Sequence, residues 1–207
     1  AHFLGHAAKV AWKNYQKTKD RVWLKRNYEC NIESGELSEQ IDNVHASYCF
    51  GFASDAAQEM FNQEVDSKKV AWGEKWYEAS IKSGDVMDES NLRHIVYSYA
   101  HAGEAAYRLY LLTNKLSLEK NNFNLRMDAA EIEISDSQLM GHQYFYAGEA
   151  AFTINNHKRD PSWVNMAISC YETAIRLFSE DSKGNKNLIQ NSLKRIQKLK
   201  QYQSKAA

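Results

Sequence analysis

The chain has 207 residues, no net formal charge at pH 7, 43% hydrophobic side chains and a single proline. This composition can bury a core and contains few helix breakers, so it predicts a globular protein with one domain over residues 1–207. The sequence has no run of 18 apolar residues and opens without a signal-peptide pattern, so neither a membrane-spanning helix nor secretion is expected.

An Ala-Ala pair recurs four times along the chain. Its second alanines, Ala8, Ala57, Ala106 and Ala151, lie 49, 49 and 45 residues apart. Small residues precede them by three positions, at Gly5, Ser54, Gly103 and Gly148, and Tyr28, Tyr77, Arg126 and Tyr171 follow them by twenty. Such a period is typical of stacked helical hairpins, because helices approach closely only where side chains are small. The sequence therefore predicts an all-α fold, a right-handed α-solenoid of about four long hairpins with a C-terminal capping helix.

The first helix of each hairpin is predicted from an apolar face that follows 4, 3, 4, 3 spacing. In the second repeat this helix is expected over about residues 42–62. The apolar positions are Leu4, Ala8 and Ala11 in repeat one (about 1–36), Ala46, Phe50, Ala53, Ala57 and Met60 in repeat two (37–86), Ile95, Tyr99, Ala102, Ala106 and Leu109 in repeat three (87–136), and Met140, Tyr144, Ala147, Ala151 and Ile154 in repeat four (137–182).

The second helices are less uniform. Glycine stop signals predict that those of repeats one and two end at about Gly35 and Gly84, and Asp66 or Ser67 is expected to cap the latter helix. In repeat three, residues 121–124 are predicted as a loop and 125–134 as a short helix. In repeat four, Asp160 and Pro161 predict a helix start, with an end near residue 180. A competing register aligns Trp23, Trp72 and Trp163 in place of the tyrosines.

The last of these helices resembles a tetratricopeptide repeat. Ala167, Tyr171, Ala174 and Ile175 stand at the separations that this family uses for small, aromatic, small and aliphatic residues. The resemblance covers about 20 residues closely, whereas the family's unit of about 34 residues is shorter than the unit here. It implies an α-solenoid that acts as a scaffold for protein contacts.

The C-terminal segment, residues 183–207, is predicted to be a capping helix. Leu188, Ile189, Leu193, Ile196 and Leu199 form one apolar stripe, and the remaining face is rich in lysine and arginine. Such a helix can cover the last repeat of a solenoid. Basic amphipathic helices also bind anionic membranes or nucleic acid, which is the less favoured interpretation here.

Charge is segregated along the chain. Residues 1–26 contain seven Lys or Arg residues and one Asp. Residues 27–182 contain twelve Lys or Arg residues and 25 Asp or Glu residues. Residues 183–207 contain seven Lys or Arg residues and no Asp or Glu. The simplest interpretation is a solvated outer face with a polar cap. The alternative is a homotypic assembly in which the basic ends of one molecule contact the acidic middle of another.

A polar and aromatic stripe lies opposite the alanine column on the first helices. It comprises His45, Tyr48, Phe52 and Asp55 in repeat two, His94, Tyr97, His101 and Glu104 in repeat three, and Leu139, His142, Tyr146 and Glu149 in repeat four. We predict that these residues line a concave groove that binds a peptide or protein, because aromatic and histidine side chains combine apolar area with polar tips. The alternative is that the tyrosines merely pack between adjacent helices.

The acids in this stripe bear on the ligand. Tetratricopeptide domains that bind a carboxylate-terminated peptide use Lys, Arg and Asn on the concave face, where this chain has Asp55, Glu104 and Glu149. A neutral or basic peptide is therefore expected, and RNA is not, because phosphate contacts need Lys and Arg.

No enzyme motif is present, and neither a cofactor nor a metal is expected. Asp42-x-x-His45 and His101-x-x-Glu104 have helical spacing but lack the further ligands that a metal needs. Cys30, Cys49 and Cys170 fall in predicted helices, where a buried thiol is inert. Three cysteines cannot all pair with one another, and together with the absence of an Asn-x-Ser/Thr sequon this favours a reducing, cytoplasmic setting.

Overall fold

The computed structural model of the chain describes residues 1–180 and 185–206, and the regular structure within these residues is entirely helical. The helices are α1 (His2–Thr18), α2 (Arg21–Ser38), α3 (Asn43–Gln63), α4 (Asp66–Val86), α5 (Leu92–Thr113), α6 (Leu116–Glu131), α7 (Ser137–Lys158), α8 (Pro161–Glu180) and α9 (Lys186–Ala206), with a 3₁₀ turn at Glu89–Asn91. The all-α prediction is confirmed. Over the described residues, no helix is long and apolar enough to cross a membrane.

The chain forms two compact units, Ala1–Asn114 (unit 1) and Lys115–Ala207 (unit 2). Their boundary falls inside the predicted third repeat, between its two helices. The prediction of a single domain, and that of a right-handed superhelix, stay predictions.

In unit 1 each helix packs against the next one along the chain, from α1 to α5. Contacts of this nearest-neighbour kind are typical of helical repeats. The shared core contains Tyr15, Leu24, Ala56, Ala57, Met60, Phe61, Trp72, Trp76 and Ala105. Ala8, Ala57 and Ala106 are buried, as the repeat predicts.

Polar caps set where the helices begin. Asp42, Asn91 and Asp136 accept hydrogen bonds from the backbone N–H groups of His45, His94 and Leu139 at 2.9, 3.1 and 2.9 Å. The first helices of three repeats therefore start in the same phase. Asp160 caps α8 through the Ser162 N–H, at 2.9 Å, which confirms the start predicted for that helix.

The prediction that the second helices of repeats one and two end at glycines is wrong. Gly35 and Gly84 lie inside α2 and α4, which continue to Ser38 and Val86. A Cβ atom at Gly35 would lie 2.7 Å from the Phe50 ring, and one at Gly84 would lie 2.7 Å from the Tyr99 ring. These glycines therefore admit an aromatic ring from the following first helix, instead of ending a helix through a left-handed backbone.

Two further boundaries differ from the prediction. Helix α6 runs through residues 121–124, which the sequence predicts as a loop. Three of its six buried residues, Glu119, Asn122 and Arg126, are polar, so apolar spacing does not predict the first half of this helix. Helix α4 begins at Asp66 and its N-cap position is Val65, so the prediction of Asp66 or Ser67 at this position is wrong.

In unit 2, α6 packs on α7, α7 on α8 and α8 on α9. The core includes Phe145, Ala151, Phe152, Val164, Ala167, Tyr171, Ala174, Phe178, Ile196 and Leu199. Three of the positions that resemble a tetratricopeptide repeat, Ala167, Tyr171 and Ala174, are thus fully buried.

Helix α9 covers this core, as the prediction of a capping helix requires. Leu199 is fully buried and Ile196 is 8% exposed, while Leu188 and Ile189 are half-buried against the same core. Leu193 is 47% exposed, so its place in the buried stripe is wrong. The predicted start at Lys183 lies outside the described residues.

The contact between Gly84 and Tyr99 predicts that Gly84→Ala is destabilising. The added methyl group must displace the ring, at a cost of about 1–3 kcal/mol. Gly5→Ala is the matched control, because Gly5 also lies in a helix and its Cβ would meet nothing closer than the Ser34 Oγ atom at 3.8 Å. Helix propensity should then stabilise the control by up to about 1 kcal/mol. Urea denaturation measures the free energy of unfolding of both variants. Equal changes in the two variants would contradict the packing of the Tyr99 ring against Gly84.

The packing of α9 predicts a large difference between two leucines on the same helix. Leu199→Ala should lower the free energy of unfolding by about 2–5 kcal/mol, because it leaves a cavity in the core. Leu193→Ala should change it by less than about 0.5 kcal/mol, since this side chain is exposed. Thermal unfolding of both variants tests the cap, which would be refuted if Leu199→Ala melted like the wild type.

The buried Glu119 predicts a pH-dependent stability. Burial raises its pKa to about 7, with Glu149 on α7 acting in the same direction and Arg126 opposing. Between the ordinary pKa of a glutamate and pH 7, Glu119 is protonated in the native state and ionised in the unfolded state. The free energy of unfolding therefore falls as the pH rises through this window. Glu119→Gln should stabilise the protein more at pH 8 than at pH 5 by chemical denaturation. An equal effect at both pH values would contradict the burial of a carboxyl group here.

Candidate functional site

Part of the predicted stripe lines a cleft in unit 1. The cleft has a volume of about 320 Å³, with walls from α3 and α5 and a floor from α4, and is called here the α3–α5 cleft. The stripe residues that line it are Tyr48, Phe52, Asp55, His94, Tyr97 and His101. Tyr48, Phe52 and Tyr97 are 40%, 58% and 47% exposed. These rings therefore offer accessible apolar area to a ligand.

Two stripe residues of unit 1 lie outside the cleft lining. His45 is half-buried, and its Nε2 atom lies 3.5 Å from the Cys49 Sγ atom. Glu104 accepts a hydrogen bond from the Arg108 Nε atom at 2.7 Å. The carboxyl group of Asp42 caps the His45 N–H. In the pairs Asp42 with His45 and His101 with Glu104, the carboxyl groups thus bind protein donors.

Serines line the base of this cleft, and none of them is among the predicted site residues. Ser54 and Ser80 share a hydrogen bond of 2.7 Å, and Ser98 donates to the Ser83 Oγ atom at 3.0 Å. Ser83 itself donates to the backbone oxygen of Ser47 at 2.9 Å. Small hydroxyl side chains let α3, α4 and α5 approach while the floor stays polar. These serines belong to no recognisable motif, and only their positions in the repeat could predict that they line the cleft.

The Ser83 and His94 side chains form a pair that resembles a nucleophile and its base. Their Oγ and Nε2 atoms are 3.0 Å apart. The Ser83 hydroxyl, however, is fully buried and its hydrogen is directed to the Ser47 carbonyl, so the shared hydrogen bond is donated by the histidine Nε2–H group. Desolvation lowers the pKa of His94, which favours the neutral imidazole. The pair therefore joins α4 to α5.

Asp55 supplies the carboxylate of the cleft. Desolvation by neighbouring atoms raises its pKa, and the positive charge of a protonated His101 acts in the opposite direction. The side chain is exposed, so the carboxylate is accessible to a cationic or hydrogen-bond-donating ligand.

A second cleft adjoins the first in unit 1. This α1–α3 cleft has a volume of about 430 Å³, with α1 and α3 as walls and α2 as the floor. It is lined by Gly5, Ala8, Lys9, Trp12, Asn27, Asn31, Phe52 and Asp55, of which the sequence analysis singles out only Phe52 and Asp55 as site residues. Phe52 and Asp55 also line the α3–α5 cleft, so they lie between the two.

The stripe residues of unit 2 make internal contacts instead. The His142 Nε2 atom lies 3.2 Å from the Asn185 Nδ2 atom, and the Arg126 guanidinium lies over the Tyr146 ring at 4.9 Å. Arg195 donates two hydrogen bonds to Glu149, at 2.9 and 2.8 Å, and Tyr171 donates a third at 2.6 Å. Glu149 therefore anchors α9 to α7 and α8. Its carboxylate is already neutralised by Arg195.

Cys30, Cys49 and Cys170 are free and buried. Burial raises the pKa of all three thiols, to about 12 for Cys170. A thiol with a raised pKa is a poor nucleophile at neutral pH. Among the described residues, no three His, Cys, Asp or Glu side chains gather in the way that a metal site requires.

Comparison with known proteins identifies no family, because neither a family model nor a curated protein matches the chain. Two solved structures are similar to it over most of their length. A filament, DHF58, has a TM-score of 0.43 and 10% identity, over 99% of this chain and 96% of its own. The de novo designed helical repeat protein DHR64 has a TM-score of 0.33 and 14% identity, over 99% of this chain and 93% of its own. The helical-repeat character therefore rests on this chain's own repeat and helix packing.

Proposed function

We propose that unit 1 binds an extended segment of a protein partner along the α1–α3 and α3–α5 clefts. The observation that carries this proposal is the position of Phe52 and Asp55, which line both clefts. One peptide can therefore contact both clefts while it crosses α3. The chain would act as an adaptor, in the manner that its resemblance to tetratricopeptide repeats implies.

The repeat explains why the clefts lie side by side. In each of them two first helices form the walls and the intervening second helix forms the floor. Repetition of the hairpin thus repeats the cleft, and successive clefts suit successive side chains of an extended chain. Their volumes lie near the lower end of the range of about 300–1,000 Å³ that ligand pockets span, so each suits side chains better than a folded domain.

The lining supports a neutral or basic peptide. Tyr48, Phe52 and Tyr97 provide exposed rings, which bury large areas at little cost in side-chain entropy. Asp55 adds a carboxylate that repels an acidic ligand. The stripe of α3 and α5 has none of the Lys, Arg and Asn residues of a carboxylate clamp, and in the α1–α3 cleft Lys9, Asn27 and Asn31 line the same cavity as the carboxylate of Asp55.

Binding is preferred to catalysis because the Ser83 hydroxyl beside His94 is buried and donates to the main chain. Assembly through the basic C-terminal helix is less favoured, since Arg195 pairs with Glu149 and Lys200 lies 3.9 Å from Glu172 within the same molecule. A cytoplasmic setting is part of the proposal and is supported by the free cysteines.

Selection from a phage-displayed library of random dodecapeptides tests the proposal. Peptides enriched by the wild-type protein should bind Phe52→Ala at least tenfold more weakly, because this ring serves both clefts. Leu111→Ala is the matched control, since Leu111 is also exposed, at 56%, and lines neither cleft. Both variants should melt like the wild type. Failure to enrich any peptide, or equal binding to Phe52→Ala, would refute the proposal.

A further inference from the structure

The floor of the α1–α3 cleft carries a hydrogen-bond acceptor whose orientation is fixed. The Asn27 Nδ2 atom donates to the backbone oxygen of Ala8 at 2.8 Å, and a carbonyl can only accept. The Asn27 Oδ1 atom must therefore face Asn31, whose Nδ2 atom donates to it at 3.3 Å. Asn31 consequently directs its Oδ1 atom away from Asn27.

This acceptor belongs to the cleft. Asn31 is only 3% exposed, yet it lines the cavity. No described residue donates a hydrogen bond to its Oδ1 atom, and this oxygen is not fully buried. A buried acceptor of this kind gains from a ligand that donates a hydrogen bond.

The same cleft contains a carboxylate and two aromatic rings. Asp55 lies on the α3 side, together with Phe52, and Trp12 lies on the α1 side. The Trp12 ring is positioned by the buried Tyr15 ring, at 5.6 Å between centroids, and the Tyr15 hydroxyl donates to Glu59 at 2.6 Å. Aromatic rings beside a carboxylate attract a cation both through the negative faces of the rings and through charge.

From this arrangement we infer that the α1–α3 cleft is a specificity pocket for a lysine or arginine side chain. Asp55 and the Asn31 Oδ1 atom accept hydrogen bonds from the ammonium or guanidinium group, and Trp12 and Phe52 contact its aliphatic stem and its charge. The inference rests on the proposed function, because the cationic side chain belongs to the peptide that unit 1 binds.

Lys9 also lines this cleft and opposes a cation there. It is exposed, so its flexible stem can hold the ammonium group in water while the ligand occupies the floor. Removal of its charge should therefore strengthen the binding of a cationic side chain. A pocket for an acidic group would instead depend on Lys9.

NMR titration of the full chain with three blocked amino acids tests the pocket. Nα-acetyl-lysine and Nα-acetyl-arginine methylamides should shift the Trp12 indole N–H signal saturably, whereas the neutral Nα-acetyl-norleucine methylamide should not. Asp55→Asn should weaken the lysine and arginine probes at least tenfold, and Lys9→Ala should tighten them. Glu74→Gln is the matched control, since it removes the same charge from an exposed site outside both clefts.

The outcomes separate this inference from the proposed function. Equal shifts with the norleucine probe, or unchanged binding in Asp55→Asn, would overturn the pocket. Selection of peptides that lack Lys and Arg would also overturn it, while peptide binding itself would stand. Saturable binding of the lysine and arginine probes without any enriched peptide would support the pocket and refute the binding of an extended peptide.

Discussion

The close approach of helices at glycine and alanine positions is the constraint on which unit 1 depends. Phe50 and Tyr99 each lie against a glycine of the preceding helix, at Gly35 and Gly84, where even a methyl group would collide with the ring. Each contact fixes the rotation of a first helix, α3 or α5, relative to the helix before it. Once that rotation is fixed, the opposite face of the first helix is turned away from the core. The exposed rings of Tyr48, Phe52 and Tyr97 follow from this geometry.

The two units use the same pattern differently. In unit 1 the rings of Tyr48, Phe52 and Tyr97 remain exposed, and Asp55 lies in the clefts. In unit 2 the carboxylate of Glu149 is held by Arg195 and Tyr171, so the same stripe stabilises the last helix. Sequence equivalence within a repeat therefore does not imply equivalent function. The partner of each carboxylate decides whether it can receive a ligand.

The fold was largely predictable because its main signals are periodic. The alanine column and the apolar spacing of the first helices depend only on helix geometry, and the structure buries these alanines as expected. The structure contradicts the predictions that concern residue types with two physical uses. Gly35 and Gly84 could end a helix or admit a ring, and only the neighbouring helix shows which applies. The first half of α6 is not predicted because its buried residues Glu119 and Asn122 are polar, and hydropathy cannot distinguish such a segment from a loop.

The site was predictable in part. Tyr48, Phe52, Asp55, His94, Tyr97 and His101 follow from the repeat and line one cleft, but Trp12, Asn27 and Asn31 occupy helix positions with no counterpart in that stripe. The hydrogen-bond chain from Ala8 through Asn27 to Asn31 joins two helices, so a single-helix pattern cannot reveal it.

The central claim is that a peptide binds across α3 in unit 1. Heteronuclear NMR mapping of the full chain with a bound library-selected peptide measures this most directly. The account predicts chemical-shift changes at residues of both clefts, continuous through Phe52 and Asp55. Changes centred on the basic face of α9, or confined to residues outside the two clefts, would contradict it.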